Sequence, residues 1–324
     1  MSLLADQITI AITVYSRRQF IKQAIASALN QSMPARVIVV EDCGPDPTLA
    51  SFVKDEFGSR IEYIRNSRRR GLFGNWNACL ERCQTEWITI LHDDDFLAPE
   101  FVEAMIELET ASPGCALYLG RTINVNEHGE PTPEQDGRTV SGRWMQRDLM
   151  DILYVPFCFA GHLFRVSDAR AVGGFRETSF MCGDWEMWAK LMAFGGAAQS
   201  SRVVAFNRSH QGWDRGSNQV SRSGRHLPTT FAQHKRILAL LAGSRALKFD
   251  RIEWQRRLPM STRFLLQNSQ TLSPRLLRYH VRLLLLSRPP HWRYALFQKM
   301  TRVGGVGFVK LASKMWRRMH SFAD

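Results

Sequence analysis

The chain has 324 residues, 44% hydrophobic and 23% charged, long enough for one large domain and an appendage, with a sizeable core. Its net charge of +13 suggests a nucleic-acid binder until the charges are located: residues 231–324 hold 19 basic and 3 acidic residues, whereas residues 1–230 hold 24 basic and 27 acidic. The basicity therefore belongs to the C-terminal region, a signal for an acidic surface partner.

The N-terminus "MSLLADQITIAITV" lacks a basic leader and carries Asp6 ahead of its apolar run, so no signal peptide is expected. No apolar stretch reaches the roughly 18 to 20 residues that span a bilayer. The six cysteines show no CxxC and no metal-ligand spacing, which fits reduced thiols and a cytoplasmic setting.

"ITIAITV" (8–14) is a short β-branched run suited to a strand buried on both faces, and "YSRR" follows it. Phe20, Ile21, Ala24, Ile25, Ala28 and Leu29 then recur at helical spacing. "RVIVVE" is a second strand, ended by "DCGPDPT". A helix over 49–57 leads to the strand "IEYI" and the basic loop "RNSRRRG". "LFGNWNACLERC" reads as helix and "EWITIL" as strand. Pro99 opens the helix "PEFVEAMIELE", and "CALYLG" is a further strand. "NEHGEPTPEQDGR" reads as a loop or hairpin, and "VPFCFAGHLFRV" as an apolar stretch through the core. "GDWEMWAKLMAFG" is helical, and "SSRVVAFNRSHQGWDRGSNQ" is a strand running into a polar loop.

Strict alternation of strand and helix predicts an α/β fold, a mostly parallel sheet with helices on both faces. Ligands bind such sheets at the carboxyl ends of the strands. Tyr15, Asp42 and "LHDDDF" (91–96) lie at three such ends. Three adjacent carboxylates are either a solvated acidic turn at a helix start or the holders of a hard divalent cation, Mg²⁺ or Mn²⁺, with substrate phosphates. Neither GxGxxG after the first strand nor GxxxxGK[ST] occurs, so the phosphates would fall to the cation and to basic side chains such as those of "RNSRRRG".

From Ile8 to Ser221 the sequence resembles glycosyltransferase family 2, on five blocks in order: "ITIAITVYSRRQFIKQAIASALNQS", "VIVVEDCGPDPT", "RNSRRRGLFGNWNACL", "EWITILHDDDFLAPEFVE" and "GDWEMWAKL". The resemblance implies a GT-A fold, a nucleoside-diphosphate-sugar donor with UDP favoured, a divalent metal, and transfer with inversion to a hydroxyl of a glycan or lipid-linked acceptor in envelope polysaccharide synthesis. It places Tyr15 against the nucleobase, or else packed at the sheet edge, and Asp42 on the base. Arg70 matches a diphosphate contact. Counting back from Pro99 makes Asp94 the principal metal ligand and Asp95 the trailing acid; His92 stands where the family has its first Asp, so His92 or Asp93 completes the site, with Asp93 also at the donor.

His210 matches a late-loop histidine near the metal or diphosphate, and Trp76 matches a block packed beneath the donor. Asp184 matches the general base, against a simple helix-cap role, with Glu186 as competitor. Gly183 departs from the family's usual Glu. Residues 1–230 are thus expected to form the catalytic domain and 231–324 a basic helical region. "VGFVKLASKMWRRMH" makes that region either a peripheral contact for an anionic membrane on its cytoplasmic face or a cap on the catalytic domain. No nucleic-acid motif accompanies the charge, so no nucleic acid is expected.

Overall fold

Strands β1 (Ile8–Val14), β2 (Arg36–Glu41), β3 (Glu62–Arg65) and β4 (Trp87–His92) are parallel and ordered β3-β2-β1-β4 in the computed structural model. That structure describes residues 3–132, 142–144, 159–178, 183–209 and 292–320, with isolated positions between 236 and 281. Every residue of β1 is buried, as its uniformly apolar or Thr sequence requires at the centre of a sheet covered on both faces. Alternate side chains point to opposite faces. Ile8, Ile10, Ile12 and Val14 share one core with Ile21, Ala24, Ile25 and Ala28 of α1 (Arg18–Leu29), Leu49, Val53 and Phe57 of α2 (Leu49–Phe57), and Phe101, Val102 and Met105 of α4 (Phe101–Ala111). Helix α3 (Leu72–Arg82) follows β3 and leads into β4.

The sequence order of the first half is the order observed, but Pro99 stands two residues before α4 rather than in its first turn. The helix begins where buried Gln31 can reach it. Its Oε1 accepts the Val102 N–H (3.0 Å), while its Nε2 donates to the Ala98 and Ser27 carbonyls. One amide thus ties the end of α1 to the start of α4.

The sheet is parallel over β1 to β4 and mixed beyond β4, in keeping with the mostly parallel sheet expected. The remaining strands are β5 (Phe96–Leu97), β6 (Leu117–Val125), β7 (Gly142–Trp144), β8 (His162–Arg165) and β9 (Ala197–Arg208). Strand β8 runs antiparallel between β4 and β6, β6 is parallel to β9, and β5 and β7 pair antiparallel with β9. Helix α5 (Val166–Ala171) directly follows β8, and α6 (Gly183–Gly195) precedes β9. At its end β9 crosses to the short strand β5, which follows the three aspartates.

The chain divides into two compact units, Met1–Gly212 and Trp213–Asp324. In the second, α7 (Trp292–His320) is interrupted at Gly305, whose φ of 55° and ψ of −144° break the helix. Thr301, Val309 and Ser313 are buried, while Leu296, Met300, Val303 and Leu311 are exposed beside exposed Lys299, Arg302 and Lys310. Among the described residues, no helix is long and apolar enough to cross a membrane.

Candidate active site

Register brings the three sequence-predicted strand ends to one level: Val14 pairs with Glu41, and Thr13 with His92. Tyr15, Asp42 and Asp93 each follow within a residue or two, on adjacent strands with β1 in the middle. This is the point where strand order reverses, the usual place for a ligand in an open α/β sheet.

On the β2 side the backbone turns sharply. Cys43 has a φ of +50°, and a Cβ on Gly44 would lie 1.8 Å from the Tyr15 carbonyl oxygen, so only glycine allows this approach. Glu41 is wholly buried and holds the turn by accepting the Gly44 N–H and the Tyr63 hydroxyl, and by pairing with Arg65. Asp42 is 4% exposed; its Oδ1 accepts the Arg70 N–H (2.7 Å) and its Oδ2 the Gly71 N–H (2.9 Å), fastening the basic loop. Asn66, in that loop, donates to Asn75, which donates in turn to the Val40 carbonyl. Arg69 lies 4.4 Å over the Tyr15 ring. The Arg70 guanidinium is engaged elsewhere, bidentate on Glu81 and at 3.2 Å from Glu177.

At the end of β4, Asp93, Asp94 and Asp95 are all buried, at 2%, 8% and 3% exposure. This differs from a solvated acidic turn, since buried carboxylates demand compensation. Two arginines supply it, and neither was singled out as a site residue from sequence. Arg17, just before α1, spans Asp93 (2.8 Å) and Asp94. Arg208, at the end of β9, donates its backbone N–H to Asp95 Oδ1 and its Nε to the Asp94 carbonyl. Its other nitrogens reach Asn126, Glu127 and Gln23, and its plane lies against Phe20 and Phe96.

His92 Nδ1 lies 3.4 Å from Asp95 Oδ2. Burial alone would lower the His92 pKa, but Asp95 and Asp94 outweigh it and leave it raised. Burial raises Asp93 and Asp95, with Arg17 opposing it at Asp93 and His92 at Asp95.

One ligand atom each from His92, Asp94 and Asp95 falls within 4.8 Å of the others. Asp95 Oδ2 and His92 Nε2 are buried and make no hydrogen bond among the described residues. Two carboxylates and an imidazole suit Mn²⁺, and the carboxylates also suit Mg²⁺. The residues present fit a divalent cation; Asp93 faces Arg17 instead. His210 lies outside the described residues.

Beneath this turn His92 stacks on Phe159 (4.4 Å), and Phe159 on Trp76 (4.0 Å), with Trp188 at the far edge. Trp76 is 2% exposed and is core. His162 is fully buried between Ile90 N–H, which donates to its Nε2, and the Phe159 carbonyl at its Nδ1; burial pushes its pKa down to about 3. Asp184 sits in the first turn of α6, its pKa raised by burial against the pull of the Trp185 and Asp184 backbone N–H groups and of His92. Its competitor Glu186 is 3% exposed and paired with Arg176 at 2.9 Å.

The fold and rim define the class: an α/β sheet of the GT-A glycosyltransferase type. Over 96% of this chain and 91% of the other, it superimposes with a TM-score of 0.64 on the crystal structure of S. aureus TarS 1–349 in complex with UDP-GlcNAc. At 14% identity that likeness shows the fold alone. The family model for glycosyl transferase family 2 matches residues 9–171, and the chain belongs to that family.

Among curated proteins it is similar to the succinoglycan biosynthesis protein ExoO of Rhizobium meliloti, 33% identical over 108 residues, 32% of this chain and 30% of that protein. It is also similar to chondroitin synthase of Escherichia coli, 25% identical over 211 residues, 62% of this chain and 28% of the other. The matches thus span about three-tenths of the length of these two relatives.

Proposed function

We propose that this protein transfers a sugar, with inversion, from a nucleoside-diphosphate sugar to a hydroxyl of a glycan or lipid-linked acceptor, with a divalent cation at the acidic turn. One observation carries the reading. Three buried carboxylates gather at the strand ends where Tyr15 and Asp42 also stand, with the Arg17 guanidinium on two of them and the Arg208 guanidinium against the Asp94 carbonyl. The carboxylates outnumber the guanidinium groups at the place where a diphosphate would need a cation. UDP is the favoured nucleotide, in keeping with the UDP-GlcNAc complex of the structurally similar TarS. The names of ExoO and chondroitin synthase support a polysaccharide product.

Tyr15 offers a ring face to the base. Asp42 can add a base N–H to its present partners, because a carboxylate oxygen accepting one hydrogen bond keeps a second lone pair. Asp94 and Asp95, with His92 alongside, would hold the cation, while Asp93 anchors Arg17 at the donor. A bound Mn²⁺ or Mg²⁺ would supply charge to offset that developing on the departing diphosphate. Arg70 would reach a diphosphate only by leaving Glu81, so it has no part in this proposal.

Asp184 takes the proton of the acceptor hydroxyl, opposite the leaving group; Glu186, already paired with Arg176, does not. We also assign residues 1–230 to catalysis and the basic remainder to an anionic membrane surface. The test is UDP-GlcNAc hydrolysis and transfer in protein stripped with EDTA and then resupplied with Mn²⁺. Activity should vanish and return; full activity in stripped protein removes the cation.

A further inference from the structure

We infer that Arg17 is a built-in counter-ion of the acidic turn, bridging Asp93 and Asp94 in the cation-free site and leaving Asp94 when a divalent cation is taken up, so that cation uptake is an exchange coupled to donor binding. The inference rests on the reading that Asp94 holds such a cation.

The geometry is specific. Arg17 Nη2 lies 2.8 Å from Asp93 Oδ1, and Nη1 bonds Asp94 Oδ2. Asp94 is also the carboxylate that stands with His92 and Asp95 in a cluster of ligand size. A guanidinium hydrogen-bonded to Asp94 and a doubly charged ion coordinated by it would be like charges a few ångströms apart in a poorly solvated place, and they repel strongly. The two cations therefore compete for one carboxylate.

Arg17 is placed to yield. Its side chain is 30% exposed, whereas the Asp93 and Asp94 side chains behind it are 3% and 11% exposed. It belongs to the β1–α1 turn, two residues after Tyr15. Arg208, by contrast, is 6% exposed, stacked against two phenylalanines and bonded to five residues, so it cannot swing. A displaced Arg17 would lose Asp94 but gain the diphosphate, whose oxygens match the planar guanidinium fork. Donor and cation would then each favour the other's binding, as linkage requires.

The test measures Mn²⁺ binding to the full-length protein without turnover, by electron paramagnetic resonance of free Mn²⁺, with and without UDP. In wild type, UDP should strengthen Mn²⁺ binding markedly. In Arg17→Gln, Mn²⁺ should bind more tightly without UDP, on the order of tenfold for one charged hydrogen-bonding partner removed from Asp94, and UDP should add less. Arg17→Lys keeps the charge without the fork and should fall between the two, which covers poor folding of the glutamine variant. Mn²⁺ affinity unchanged or weakened in both variants overturns the exchange while leaving the cation site standing. No Mn²⁺ binding in any form, with or without UDP, removes the cation reading and the inference with it.

Discussion

Asp184 is half-buried and His162 fully buried, and loss of solvent drives their pKa values in opposite directions. Asp184 is raised, so the proton acceptor is lost at a higher pH than for an ordinary aspartate. The transfer rate should fall as pH drops through a value above the usual carboxylate range. Asp184→Asn should cut transfer by a factor of about 10² to 10⁴ while sparing UDP binding measured by calorimetry. Retained transfer in that variant would refute the base assignment.

His162 is held neutral, with its pKa pushed down to about 3 from an ordinary value of 6.5. The unfolded chain takes up this proton first, so the stability due to neutral His162 is complete above pH 6.5 and drains away as pH falls toward about 3. Melting temperatures of wild type and His162→Gln should therefore converge on acidification across that window. A constant gap would show that His162 does not titrate as described.

Between elements, the acidic turn depends on a side chain from the far end of β9. Removing the Arg208 guanidinium leaves the backbone N–H on Asp95 in place but strips the Asp94, Asn126 and Glu127 carbonyls and Gln23 Oε1 of their donor, and takes a positive charge away from beside Asp94 and Asp95. Arg208→Met should cost about 2 to 3 kcal/mol in urea unfolding, because the hydrogen bonds of a buried charged group are lost and their acceptors left unpaired. Arg202→Met, losing only exposed pairs with Glu103 and Glu107, should cost less than about 1 kcal/mol. Equal costs would contradict the bracing role of β9.

The same elements mark how far the sequence could be read. Apolar runs and helical spacing give β1 through α4 nearly to the residue, because each is specified locally. Antiparallel β8 between β4 and β6 is not visible, since strand order is set by pairings such as Ile88 with Phe164 that no local pattern encodes. Asp94 and Tyr15 were legible as polar residues at strand ends. Arg17 stood in plain view within "YSRR", but its partner Asp94 lies 77 residues on, and Arg208 is 113 residues from Asp95. Side-chain pairing over such separations emerges only when the sheet is assembled.

At the scale of the whole molecule, residues 1–230 are near neutral and residues 231–324 strongly basic. The exposed apolar residues of α7, interleaved with lysines and arginines, suit the interface of an anionic bilayer. Val303→Glu, at a position 88% exposed, should weaken sedimentation with phosphatidylglycerol vesicles and leave UDP binding unchanged. Vesicle binding unaffected by the change would place the membrane contact elsewhere. The most direct measurement is manganese anomalous diffraction from crystals grown with MnCl₂ and UDP. The expected result is a single strong peak bonded to Asp94 and to diphosphate oxygens, with the base against Tyr15. A metal and nucleotide located away from this rim, with Arg17 still closed on Asp94, would contradict it.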